Sequence, residues 1–243
     1  VKKSRTTVIF TLGNHELWSF PEVPITEIVD KYRTLIESYG MYLLQNDLLY
    51  KEDSSFSEDS SEHIHLIKYS ELCKMEDIQI RERLRSARFV IFGGIGFSGY
   101  NLEFNSNNGI YKNIITREKE IKETKNFELL YNRLYPLVKS KNSIVVTHMP
   151  KRDWCKNSEP DEDLIYVAGH THQNYFYDDG TYRIYADNQI GYRGNNVHLK
   201  SILTDNDYDY FEDYSDGIYE ITSSQYRDFY RGKNLSMTFQ RKV

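Results

Sequence analysis

Ser143-Ile144-Val145-Val146-Thr147-His148-Met149-Pro150 is an apolar, β-branched run that stops at a histidine. Such a run reads as a buried strand, and Pro150 cannot extend it. The same pattern recurs on both sides. Downstream, Leu164-Ile165-Tyr166-Val167-Ala168 runs into Gly169-His170-Thr171-His172. Upstream, Thr6-Thr7-Val8-Ile9-Phe10-Thr11-Leu12 runs into Gly13-Asn14-His15-Glu16. Ligands of open α/β sheets bind beyond the carboxyl ends of the strands. Three strands that end in histidine therefore predict one rim carrying His15, His148, His170 and His172.

The segments between these strands alternate in period. Residues 25–38 have apolar side chains at 25, 28, 29, 32, 35 and 36, which is helical spacing, and Gly40 suits the helix end. Short strands are expected at 41–44, 48–50 and 63–69. A helix is expected at 70–87. A buried strand at 88–95 runs into Gly93-Gly94-Ile95-Gly96, and a long loop over 97–113 follows. A second long helix is expected over about 116–140. Runs 175–177 and 182–185 flank Asp178-Asp179-Gly180-Thr181, a hairpin signal. Short strands and a helix near 222–231 are expected in the tail. Strands separated by long helices predict an α/β fold. The expectation is one domain over 1–243, a layered central β-structure of two packed sheets flanked by helices.

The bulk numbers exclude several classes. With 31 basic and 36 acidic side chains the net charge is -5, which gives no strong nucleic-acid signal. Two cysteines, Cys73 and Cys155, form no C-x-x-C pair, so a disulfide scaffold is not expected. Apolar runs fall short of the roughly 18 residues that span a membrane. No membrane partner and a cytoplasmic location are expected. The mean hydropathy of -0.66 is polar, but 21 tyrosines bury rings while keeping their hydroxyls wet. The 243 residues are enough for a substantial core.

The chemistry sits in the three strand ends, which hold four of the seven histidines and one asparagine. Neutral imidazole is the commonest protein ligand for zinc, manganese, iron and nickel, and an asparagine carbonyl suits a hard divalent cation. His170 and His172 would share a face on an extended strand. In a loop they can diverge to serve two neighbouring ions. Gly13 and Gly169 permit backbone angles that other residues resist.

Gly13-Asn14-His15-Glu16, Thr147-His148 and Gly169-His170-Thr171-His172 resemble the last three motifs of the calcineurin-like metallophosphoesterases, in family order. The resemblance covers about residues 6–186. It implies a metal-dependent hydrolase of phosphomonoesters or phosphodiesters that uses two divalent ions of manganese, iron, zinc or nickel. It assigns Asn14, His148 and His170 to the second ion and His172 to the first. It makes His15 the catalytic residue that faces the phosphate-ester substrate, and Glu16 a residue that orients the loop. The family also uses an Asp-x-His motif and a Gly-Asp-x-x-Asp motif, and neither occurs in this chain. The expectation is therefore an N-terminally truncated, C-terminal part of the full fold, weakly active or inactive alone. The alternative is a catalytically incomplete relative that serves as a binding or scaffold protein.

The remaining polar features carry blander expectations. His63 and His65 alternate on a strand and are expected at a solvent-facing edge, and His198 stands alone. Gly93-Gly94-Ile95-Gly96 matches neither phosphate-binding glycine pattern and reads as a tight turn near the rim. Tyr100, Asn101, Asn105 and Asn107 read as surface loop, and Arg152 as exposed. Residues 51–62 read as a solvated acidic loop.

Overall fold

The computed structural model describes residues 7–52, 64–111, 114–139, 142–171, 175–178, 180–186, 210–213 and 219–222. Its elements in chain order begin with β1 (Ile9–Phe10), α1 (Asn14–Trp18), α2 (Ile25–Ser38), β2 (Tyr42–Leu43), β3 (Asp47–Glu52) and β4 (Ile64–Ile67). There follow α3 (Tyr69–Leu72), α4 (Asp77–Arg83), β5 (Ala87–Gly94) and α5 (Arg117–Val138). The chain continues with β6 (Ser143–Thr147), α6 (Lys151–Trp154), β7 (Leu164–Ala168), β8 (Tyr175–Asp178) and β9 (Arg183–Ala186). A separate antiparallel pair, β10 (Tyr210–Asp213) with β11 (Tyr219–Thr222), lies near the end.

The architecture is mixed α/β. Seven strands form one sheet in the order β4-β3-β5-β6-β7-β9-β8. The centre, β5-β6-β7-β9, is parallel, and antiparallel strands close both sides. Parallel neighbours need long crossovers, and α5 supplies the one between β5 and β6. Within the parallel block Gly94, Thr147, Ala168 and Ala186 stand in register. The strands thus end on one line, and His148 and Gly169-His170 begin just past it. The expected hairpin is the antiparallel β8-β9 pair.

β1 does not join this sheet. It pairs in parallel with β2, giving a two-stranded ladder. The expected strand at 6–12 is thereby shortened to two residues. The ladder meets the large sheet at the β2–β3 connection, where Asn46 N donates to Gly93 O at 2.8 Å. Buried Asp47 pins that crossing. Its carboxylate accepts from Arg33 Nη2 at 2.8 Å, from Tyr69 N at 2.7 Å and from Gln45 N at 3.1 Å. Coulomb attraction alone would not offset the desolvation of a buried carboxylate, and these donors supply the remainder. Among the described residues the layered β-structure consists of a seven-stranded sheet flanked by helices, with the two-stranded ladder beside it.

The apolar residues divide into two clusters. In the larger, Leu48, Val90, Phe92, Val145 and Tyr166 of the sheet meet Phe127, Leu130, Tyr131 and Leu134 of α5 and Trp154 of α6. The smaller joins Leu12, Leu17, Ile28, Leu43, Ile95, Phe97 and Tyr111, and so lies beside the strand-end rim. α5 starts where Thr116 Oγ1 caps Lys119 N at 3.3 Å, with Glu118 and Glu120 in its first turn. The helix expected at 70–87 is broken into α3 and α4 by a turn at 73–76. The strand at 143–147, the strand at 164–168 and the helix at 25–38 have the expected bounds. Thr222, where the tail helix was expected to begin, ends β11; the rest of that helix, His63 and His198 lie outside the described residues, as does most of the acidic loop.

Candidate metal centre

Gly13 opens α1, and its N–H donates to Glu16 Oε2 at 2.7 Å. Glu16 thus reaches back to an otherwise unpaired donor at the helix start. That fixes the turn and carries Asn14 into the interior, while His15 stays exposed. The His15 ring lies 4.1 Å from that of Trp18, tilted by 35°. Gly13 is there for room, not for its angles. Its φ of -116° is ordinary, but a Cβ on it would stand 2.7 Å from His148 Cε1. His148 therefore packs directly on the backbone of the first motif.

Asn14 uses both ends of its amide. Nδ2 donates to Ile110 O at 3.4 Å, which leaves Oδ1 facing His148 Nε2 at 2.8 Å. The imidazole then donates through Nε2. His148 is held through its backbone: its N–H donates to Gly94 O at 3.2 Å, and its carbonyl accepts from Gly169 N at 3.0 Å. The next carbonyl, Met149 O, accepts from Thr147 Oγ1 at 2.6 Å and Trp154 Nε1 at 3.0 Å.

His170 completes the cluster. Its ring meets that of His148 edge-on, with centroids 5.1 Å apart and planes at 71°. Its φ is +71°, a region where β-carbon side chains are rare and cost of order 1 kcal/mol or more. The glycine expected to take unusual angles here was Gly169. The left-handed residue is His170 itself, and the bend turns its ring toward His148 and Phe104. Phe104 meets His170 at 5.8 Å, also edge-on.

The structure therefore brings Asn14, His148 and His170 together from α1 and the ends of β6 and β7. His172 lies outside the described residues. Among the described residues no group of three or more histidine, cysteine, aspartate or glutamate side chains is arranged to hold a metal ion. The cluster is two imidazoles and one amide oxygen, donor types that suit a divalent cation. A cation shared by His148 and Asn14 would replace the proton of this hydrogen bond, since Nε2 cannot donate to Oδ1 and ligate an ion at once.

The other candidates fall elsewhere. His65 stacks on Tyr50 at 4.8 Å on the β4 edge. Arg152 is exposed beside Asp153. Cys155 is buried, and burial pushes its thiol up, away from reactivity. Gly93 and Gly94 are strand residues, not a phosphate cradle; a Cβ on Gly93 would meet Val146 O at 1.8 Å.

The loop expected after β5 is present, but sequence reasoning missed its buried anchors. Asn101 and Asn105 are structural members of that loop: Asn101 Nδ2 donates to Asp153 Oδ1 at 2.7 Å, and buried Asn105 donates to Asn101 O at 2.7 Å. Ile110 O of the same loop accepts from Asn14 and, at 2.9 Å, from Trp18 Nε1. A signal was available. The apolar stripe of α5 (Phe127, Tyr131, Leu134) runs back to Glu120, Thr124 and Glu128, polar residues at core positions that need loop partners. Compared with family models, curated proteins and solved structures, the chain matches none.

Proposed function

We propose that this chain carries part of a divalent-metal centre for phosphoester hydrolysis. The observation that carries the reading is the 2.8 Å contact between Asn14 Oδ1 and His148 Nε2 with His170 beside it. These are the residues that the family resemblance assigns to one ion, and they come from three distant stretches of sequence. Asn14, His148 and His170 would hold that ion, and His172 a second one; manganese, iron, zinc and nickel all suit such donors. When bound, the ions supply Lewis acidity toward the phosphoryl group and activate water for attack.

The chain's own residues do the rest. Ile110 O fixes the Asn14 amide so that its oxygen faces the cluster. The Gly94 and Gly169 backbone bonds hold the His148 turn. His15, exposed one residue from Asn14, is the group to steady charge on the phosphoryl oxygens or to protonate the leaving oxygen. The substrate is a phosphomonoester or phosphodiester.

The test is hydrolysis of an aryl phosphate with added Mn²⁺ by the natural gene product that contains this chain. His15→Ala is expected to cost about 100-fold in turnover, the usual scale for a general acid, with metal content unchanged. Absence of turnover in the metal-loaded protein overturns the enzymatic reading. The second reading, a binding or scaffold protein, is favoured by one observation, the ordinary hydrogen-bond length of the contact between His148 Nε2 and Asn14 Oδ1. It predicts no turnover, and a His15→Ala variant that behaves as the wild type.

No described helix is long and apolar enough to cross a membrane.

A further inference from the structure

Phe104 stands where the loop after β5 reaches the cluster, and its setting is unusual. It is 41% exposed, and its neighbour Leu102 is 75% exposed. Exposed apolar side chains are common on mobile loops, but this loop is fastened along its length. Gly99 N donates to Thr124 Oγ1 at 2.9 Å, and Tyr100 OH to Glu128 Oε2 at 2.7 Å. Buried Glu120 accepts from Ser98 N at 3.2 Å and from Ser106 N at 2.6 Å, clasping both flanks. The Phe104 peptide itself is held at both ends. Its N–H donates to Asn101 Oδ1 at 3.2 Å, and Ser98 Oγ bonds its carbonyl.

The fold thus commits at least six side chains to presenting an aromatic ring, half in water, edge-on to His170. Packing does not require this: Phe104 belongs to neither core cluster. Such a ring loses little freedom on binding, because its backbone is already fixed. Its remaining exposed surface suits a flat apolar group.

Resting on the metal-phosphoesterase reading, we propose that Phe104, with Leu102, is the specificity wall of that site, and that the substrate class is phosphoesters bearing an aromatic group. The phosphoryl group lies at the Asn14, His148 and His170 cluster, and the aromatic group lies against Phe104. Phe104 then discriminates among substrates without supplying any chemistry.

Two non-hydrolysable probes test this on the Mn²⁺-loaded chain, phenylphosphonate and methylphosphonate, with Kd from calorimetry. The wild type is expected to bind phenylphosphonate more tightly. Phe104→Ala is expected to shrink that ratio by about fivefold, the scale of one aromatic contact, and Phe104→Tyr to retain it. Mn²⁺ is titrated first. Bound Mn²⁺ with an unchanged ratio in Phe104→Ala overturns the wall alone. Equal weakening of both phosphonates does so too, since it would make Phe104 a support for His170. A wild type that binds no Mn²⁺ overturns the metal-centre reading, and this inference with it.

Discussion

His148 Nε2 lies 2.8 Å from Asn14 Oδ1, across 134 positions of sequence. The contact exists because β6 delivers His148 past the line of strand ends, while the Glu16 cap turns Asn14 inward. Its closest dependency is Gly13, which lies under the imidazole.

Gly13→Ala is expected to destabilise the protein by about 1–3 kcal/mol, the range for overpacking. The backbone at Gly13 is ordinary, so the penalty is the added Cβ against His148 Cε1 at 2.7 Å. His148→Ala made in the same chain is expected to relieve it. A double-mutant cycle by thermal unfolding checks this: a coupling of about 0.5–3 kcal/mol is expected for groups in contact, and simple additivity would contradict the packing.

Asn14→Asp is expected to act with opposite signs on stability and on metal affinity. The substitution removes the Nδ2 donor and sets a negative charge against Ile110 O, so the metal-free protein loses about 1–3 kcal/mol. The carboxylate keeps an oxygen facing His148 and adds charge for a divalent ion. Melting with and without Mn²⁺ measures both, and the gain in Tm on adding Mn²⁺ should exceed that of the wild type.

Glu120→Ala is expected to release the loop over 97–111. It leaves Ser98 N and Ser106 N without their buried acceptor, at a cost of at least about 2 kcal/mol. Limited proteolysis should cut the variant within this loop before the wild type. The NMR cross-peak between the Phe104 and His170 rings should weaken or vanish in the same variant.

Asp153 introduces a pH dependence of known sign. Burial raises its carboxyl above the usual 3.8, against the Asn101 hydrogen bond and the Arg152 charge, which lower it. The folded state therefore binds its proton more tightly than the unfolded state does. The stability this contributes is full below pH 3.8 and is lost as pH rises through the raised value. Asp153→Asn can still accept from Asn101, so it should remove this part of the slope and melt higher than the wild type at neutral pH. Urea unfolding from pH 3.5 upward measures it.

The parts of the fold written as runs were legible. The strands at 143–147 and 164–168 are continuous apolar segments with sharp stops, and α2 has a clean stripe closed by Gly40. The conjunction of Asn14, His148 and His170 was legible for the same reason, since each follows such a strand. What was not legible depends on tertiary partners. Among the described residues β1 pairs with β2 over two residues, although its sequence suggested seven. The left-handed angle falls on His170, whose ring it turns toward His148 and Phe104, although Gly169 would adopt it at less cost. The loop of Phe104 reads as polar surface, and its buried anchors on Glu120, Thr124, Glu128 and Asp153 give it shape.

The most direct test of the proposed metal centre is the binding of Mn²⁺ and Zn²⁺ to the 243-residue chain by calorimetry, wild type against His148→Ala and His170→Ala. The account predicts at least one divalent ion per wild-type chain, with affinity falling by about 10-fold or more in each variant, the scale at which even supporting groups of metal sites act. No binding by the wild type, or equal binding by the His148→Ala, His170→Ala double variant, would contradict it.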